Sequence, residues 1–145
     1  MQNKLAKLEF LEFDSINIYE TIQEDVKYQD IIYYKWDRKE AISSDQEKRI
    51  DYQKAVSEME KLDWSFVHNH IGFINKHKAI TIQFVRLGKN KWYAENIIMQ
   101  QGRWTGCVWH CNTDNKTITH MTRLFFEEDP KWFDSLSWKF KRVQT

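Results

Sequence analysis

Glycine and proline are scarce in this chain: 4 and 1 among 145 residues. That excludes collagen-like, low-complexity and loop-dominated architectures, and no internal repeat is present. The glycines stand at positions 72, 88, 102 and 106, so neither a Walker-type phosphate loop nor a dinucleotide fingerprint can be assembled. Dependence on ATP or NAD is not expected. Cysteine is equally sparse. Cys107 and Cys111 lie four apart on one predicted strand, about 13 Å between Cα atoms at roughly 3.3 Å per residue and beyond disulfide reach. A reduced, cytoplasmic chain is the expectation. No apolar run approaches the roughly 18 residues of a membrane span. Near the start, Glu9 and Glu12 interrupt Leu8 to Phe13 where a secretory signal would need an unbroken apolar core. Charge of one sign is also missing. With 22 basic and 21 acidic residues the formal net charge is +1, which removes the main electrostatic reason for broad nucleic-acid or membrane binding. The basic cluster Lys139, Lys141, Arg142 reads as a solvated tail.

What the chain does have is aromatic area: 7 Trp, 9 Phe and 6 Tyr, or 15% of residues. A few large rings must therefore supply much of the core volume. Leu5, Leu8 and Leu11 suit a helix, and a second short one fits residues 16–27. Ile31 to Trp36, β-branched and aromatic, predicts a strand. Ser44 and Glu47 have capping-box spacing, and Tyr52, Val56, Met59, Leu62 and Phe66 recur every three or four residues. The spacing predicts one long amphipathic helix from Ser44 to between Phe66 and Gly72. Four strands are then expected: 79–87, 92–100, 103–111 and 117–126. Turns at Gly88 to Asn90, Gln101-Gly102 and Asn112 to Asn115 join them, too short for parallel crossovers. Asp129-Pro130 opens a last short helix carrying Trp132, Phe133, Leu136 and Phe140.

The fold class expected is α+β, a single domain over residues 1–145. An antiparallel meander of four to five strands packs against one long amphipathic helix, with N-terminal and C-terminal helices. With Gln101-Gly102 as a two-residue turn, Trp92, Ala94, Ile98, Cys107 and Trp109 share the core face, joined by Ile80, Ile82, Phe84, Ile118, Leu124 and Phe126. The other face then carries Tyr93, Glu95, Trp104, His110, Thr119 and Arg123, with Tyr93 opposite His110. Rings, a carboxylate, an imidazole, a hydroxyl and a guanidinium together make the inventory of a binding surface. These six are the candidate binding residues.

Catalytic and metal readings are weaker. His68 and His70 do not share a helical face, His110 and Cys111 point to opposite sides of a strand, and no zinc-ligand motif occurs. His120 could approach Cys107 across the last hairpin, but a strand cysteine is more often a small buried hydrophobe. Glu95 or His110 could serve as acid or base in a cup, with Tyr93 and Arg123 binding an anionic group. Single-stranded nucleic acid on Trp104 or Tyr93 beside Arg103 and Arg123 ranks third. The expectation is a cytoplasmic, cofactor-free binding protein, inhibitor or immunity type, whose partner is another protein. The alternative is a small-molecule binder or cofactor-independent acid–base enzyme. A homodimer through the exposed face would also account for the aromatic excess.

Overall fold

The computed structural model describes residues 30–65 and 68–143. The helices expected before residue 28, and Phe66, lie outside them. Strands β1 (Ile31–Trp36), β2 (Ala41–Ile42), β3 (Lys48–Arg49), β4 (His70–Asn75), β5 (Ile80–Gly88), β6 (Lys91–Gln100), β7 (Arg103–Thr113) and β8 (Lys139–Arg142) form one sheet. Its order is β2-β1-β4-β5-β6-β7-β8, with β3 also on β1. Every pairing is antiparallel. Helices α1 (Tyr52–Lys61) and α2 (Asn115–Phe126) and a short 3-10 helix (Pro130–Ser135) complete a mixed helix and sheet fold. In place of the expected four or five strands, the described residues form eight.

The long helix from Ser44 does not form. Ser43, not Ser44, caps a single 3-10 turn over Ser44–Gln46, and Glu47 turns back at φ 50°. Lys48–Arg49 then pairs with β1, and the Ile50 N–H donates to Ile31 O at 3.1 Å. Sheet pairing and the burial of Ile50, 4% exposed, prevail over a local capping box. The helical stripe is real but starts later. Asp51 is the N-cap, its carboxylate accepting from the Lys54 N–H at 2.8 Å. Where that helix was expected to end, Ile71-Gly72-Phe73 instead enters the sheet between β1 and β5.

The fourth expected strand, 117–126, is also a helix. Asp114 caps α2 through the Thr117 N–H, and Ile118, Met121, Thr122, Phe125 and Phe126 are buried at helical spacing. Threonine, isoleucine and phenylalanine favour strands by at most about 1 kcal/mol. Burying a large apolar side chain contributes about 1.5–3 kcal/mol each, so the packing of that stripe decides. Phe73, Phe84, Ile82 and Trp92 from the sheet meet Phe125, Phe126, Met121 and Met59 from the helices in one core cluster. The last helix starts as expected at Asp129-Pro130, but Phe140 belongs to β8.

At the Gln101-Gly102 turn, φ is 51° and 77°, the two left-handed residues of a tight hairpin. Beyond it the ladder shifts between Ile97 and Met99. Thr105 spans the irregularity: its hydroxyl donates to Ile98 O at 2.8 Å and accepts from the Cys107 N–H at 3.2 Å. Gly106, at φ 83°, supplies the backbone freedom. The pairing moves from Gln100↔Arg103 to Glu95↔His110, a shift of two. Because side chains alternate with period two, the faces are preserved while the partners change.

Candidate functional site

The sheet face away from the helices carries a row that crosses the molecule strand by strand. Tyr34 lies opposite Gly72, Gly72 opposite Gln83, Gln83 opposite Glu95, Glu95 opposite His110, and His110 opposite Lys139. Adjoining rows hold Trp36, His70, Val85 and Tyr93, and Ile32, Ile74, Thr81, Ile97 and Val108. The row is linked by side-chain hydrogen bonds at one end. The Tyr34 hydroxyl donates to Gln83 Oε1 at 2.7 Å, and Gln83 Nε2 donates to Glu95 Oε1 at 3.0 Å.

Gly72 permits that reach. A Cβ at this position would stand 2.0 Å from Tyr34 Cζ, so the phenol ring crosses β4 where only a hydrogen fits. Burial first, and then the charge of Glu95, hold the Tyr34 hydroxyl well above the ordinary phenol range. It is a neutral donor throughout the physiological range, which is what its acceptor Gln83 requires.

Toward the other end, the Tyr93 and His110 rings stand 5.7 Å apart, tilted by 46°. Lys141 Nζ donates to the Tyr93 hydroxyl at 3.0 Å and lies 5.6 Å from its ring centre. That hydrogen bond outweighs the opposing effect of burial and, with the charges of Tyr93 and Glu95, raises Lys141 above the ordinary ammonium value. Tyr93 therefore faces Asn112 directly and His110 diagonally, a correction to the expected opposition that follows from the register shift.

Tyr93, Glu95 and His110 lie together on one face of the sheet. The other three candidates are not with them. Thr119 and Arg123 lie on α2, on the opposite side of the sheet, because 117–126 is helical; Arg123 there pairs with Glu127 at 3.1 Å. Trp104 is opposite Met99 beside the Gln101-Gly102 turn, beyond the register shift, with its indole N–H on Cys107 O at 3.1 Å. His120 is exposed on α2 and does not face Cys107 across a hairpin. Among the described residues no three His, Cys, Asp or Glu side chains are grouped as metal ligands would be.

Sequence reasoning missed Tyr34, Gln83, Lys139 and Lys141. A usable signal was Gly72, one of only 4 glycines, sitting inside an apolar β-branched and aromatic run where glycine marks a close approach. A cleft of about 380 Å³ opens beside β2, lined by Tyr34, Trp36, Ile42, Ser43, Ser44 and His70. Neither Glu95 nor His110 lines it. No protein-family model, no curated protein and no solved structure matches the chain.

Proposed function

We propose that this chain is a cytoplasmic binding protein of the inhibitor or immunity kind that holds another protein against the sheet face bearing Tyr93, Glu95 and His110. The observation that carries this reading is the half-buried grouping of two rings and a carboxylate beside the exposed Lys141 ammonium, on the sheet and outside the cleft beside β2. Tyrosine on a fixed backbone offers large contact area at small entropic cost. The carboxylate and ammonium would set orientation and partner choice.

The test is capture at fixed stoichiometry, compared between the native chain and a Tyr93→Ala/His110→Ala variant, read by native mass spectrometry. A protein held by the first and lost by the second supports the reading. Equal capture by both sinks it. The small-molecule alternative is favoured by one feature, the cleft beside β2 with Tyr34, Trp36 and His70 on its wall. A retained small molecule displaced by His70→Ala or Ser44→Trp would transfer the site there. The acid–base version has less support, because Glu95 and His110 lie outside that cleft.

A further inference from the structure

The basic cluster that reads in sequence as a solvated tail is a strand. Lys139, Phe140, Lys141 and Arg142 form β8 and pair with β7. All four are exposed, and among the described residues β7 is their sole strand partner. Three of the four are cations, and none of them forms an ion pair in the structure among the described residues.

The hydrogen-bond parity of the edge can be read from one contact. The Val143 N–H donates to Gly106 O at 2.7 Å. Bonded and non-bonded pairs alternate in an antiparallel ladder. Lys141 opposite Val108 and Lys139 opposite His110 are therefore the bonded pairs. Phe140 and Arg142, opposite Trp109 and Cys107, aim their N–H and C=O groups away from β7. The edge offers a short ladder of open donors and acceptors.

Side chains around that ladder define what would fit it. Lys139 and Lys141 stand on the Tyr93 side of the sheet. Phe140 stands on the other, 53% exposed, with its ring 5.4 Å from Trp109, which in turn lies 5.7 Å from Phe133. Phe140 is thus the open end of an aromatic stack that runs into the core. A second copy of this strand would set ammonium against ammonium, which disfavours self-pairing. A strand with carboxylates at alternate positions and an apolar residue between them would answer both sides at once.

We propose that β8 is a docking edge to which an extended acidic segment of a partner protein adds as a further strand, its carboxylates on Lys139 and Lys141 and an apolar side chain on Phe140. The proposal rests on the chain being a protein-binding protein; it shares Lys141 with the Tyr93 face but adds the outward backbone groups of Phe140 and Arg142, which that face does not use. Main-chain bonding would supply affinity and the alternating side chains would supply selectivity.

The probe is a short capped peptide alternating Glu with Val and Phe, titrated into the full chain and followed by fluorescence anisotropy. Its Lys-for-Glu counterpart and a scrambled sequence serve as controls. The native chain should prefer the alternating acidic peptide, with affinity falling as salt rises. Lys139→Glu/Lys141→Glu should weaken it about tenfold. Phe140→Pro removes an outward N–H without touching the β7 ladder, so it should weaken binding roughly fivefold beyond Phe140→Ala, which keeps that N–H.

Equal effects of Pro and Ala would overturn strand addition. So would indifference to the charge reversals, tighter binding of an oligothymidylate than of the peptide, or self-association that the Phe140 variants abolish. Should Phe140→Pro fail to fold, amide NMR of the native chain decides. Peptide must shift the Phe140 and Arg142 amides, and changes confined to Tyr93 and His110 would overturn the proposal. Absence of any peptide binding also overturns it while leaving the face reading intact, since that is tested with the Tyr93→Ala/His110→Ala variant.

Discussion

Arg86 is 7% exposed and pairs with no carboxylate among the described residues. Its guanidinium instead donates to the carbonyls of Glu60, Leu62, Gly88 and Lys89 at 2.9 to 3.3 Å. It also lies between Trp64 and Trp92, 4.5 and 5.1 Å from their ring centres. Two of those carbonyls sit at the end of α1, which would otherwise lack partners. Arg86→Met should cost about 2–3 kcal/mol, because carbonyls are left unpaired and the ring contacts are lost. Arg86→Lys should recover only part, since an ammonium cannot reach four acceptors in a fork. Urea denaturation of the two variants checks this, and a loss below that of an ordinary surface change would refute the clamp. At Gly72 the constraint is steric. Gly72→Ala must displace the Tyr34 ring and break its bond to Gln83, at about 1–3 kcal/mol. Tyr34→Phe/Gly72→Ala should lose no more than Gly72→Ala alone if the displaced hydroxyl is the cause.

At the scale of elements, β1 and α1 are joined by Lys35, 4% exposed, whose ammonium meets Glu58 at 2.8 Å, Glu40 at 3.3 Å and Asp37 at 3.8 Å. Burial pulls Lys35 down, but the bond and charge of Glu58, with Glu40 and Asp37, outweigh it and leave it above its ordinary value. Burial likewise pushes Glu58 up, while Lys35 and the nearby Lys61 and Lys54 hold it below 4.5. The signs follow. Stability from Glu58 is present above its unfolded value near 4.5 and is lost as pH falls through its lowered folded value. That from Lys35 is present below 10.5 and is lost as pH rises through its raised folded value. Lys35→Met should cost about 3 kcal/mol at neutral pH by taking away the close partner of the largely buried Glu58 and leaving it only the exposed Lys61 at 3.8 Å. Below pH 4 the deficit against the native chain should shrink, since Glu58 can then take up a proton. Thermal midpoints at acid and neutral pH test this, and an unchanged deficit would show that Glu58 is not the stranded charge.

Elements were legible where one local signal acted alone. The Gln101-Gly102 turn, β1, β5 and β6 and the Asp129-Pro130 start are local, and the structure bears them out within a residue or two. They were illegible where two signals competed. Ser44 and Glu47 spell a capping box, yet the pairing of Lys48–Arg49 with β1 takes that segment. The 117–126 segment has strand-like composition over a helical period, and the period prevailed.

On the scale of the whole molecule, rings connect the sheet edge to the opposite end of the core. Phe140, Trp109, Phe133 and Trp132 lead to Phe125, Phe126, Phe73, Phe84 and Trp92 at centroid spacings of 5.4 to 6.4 Å. Sheet and helices share this cluster, so they should be lost together. Urea transitions followed by far-ultraviolet dichroism and by tryptophan fluorescence are expected to coincide. Separate midpoints would mean that the helices and the sheet do not depend on one core. The candidate site was half legible for the same reason. Alternation along β6 and β7 puts Tyr93, Glu95 and His110 on one face in any register of the right parity. Thr119 and Arg123 left that face when their segment proved helical.

Sequence alone determined a mixed helix and antiparallel sheet architecture, the aromatic character of the core and the two-faced pattern of β6 and β7. These rest on composition and on periods of two and 3.6, which need no knowledge of distant residues. The tertiary structure decided the rest: that Ile71-Gly72-Phe73 is a central strand, that Glu95 rather than Tyr93 opposes His110, that Tyr34 reaches Gln83 over Gly72, and that Lys139 to Arg142 is a sheet edge. Each depends on which strands become neighbours. That is a matter of where large buried side chains pack, and residues far apart in the chain settle it together.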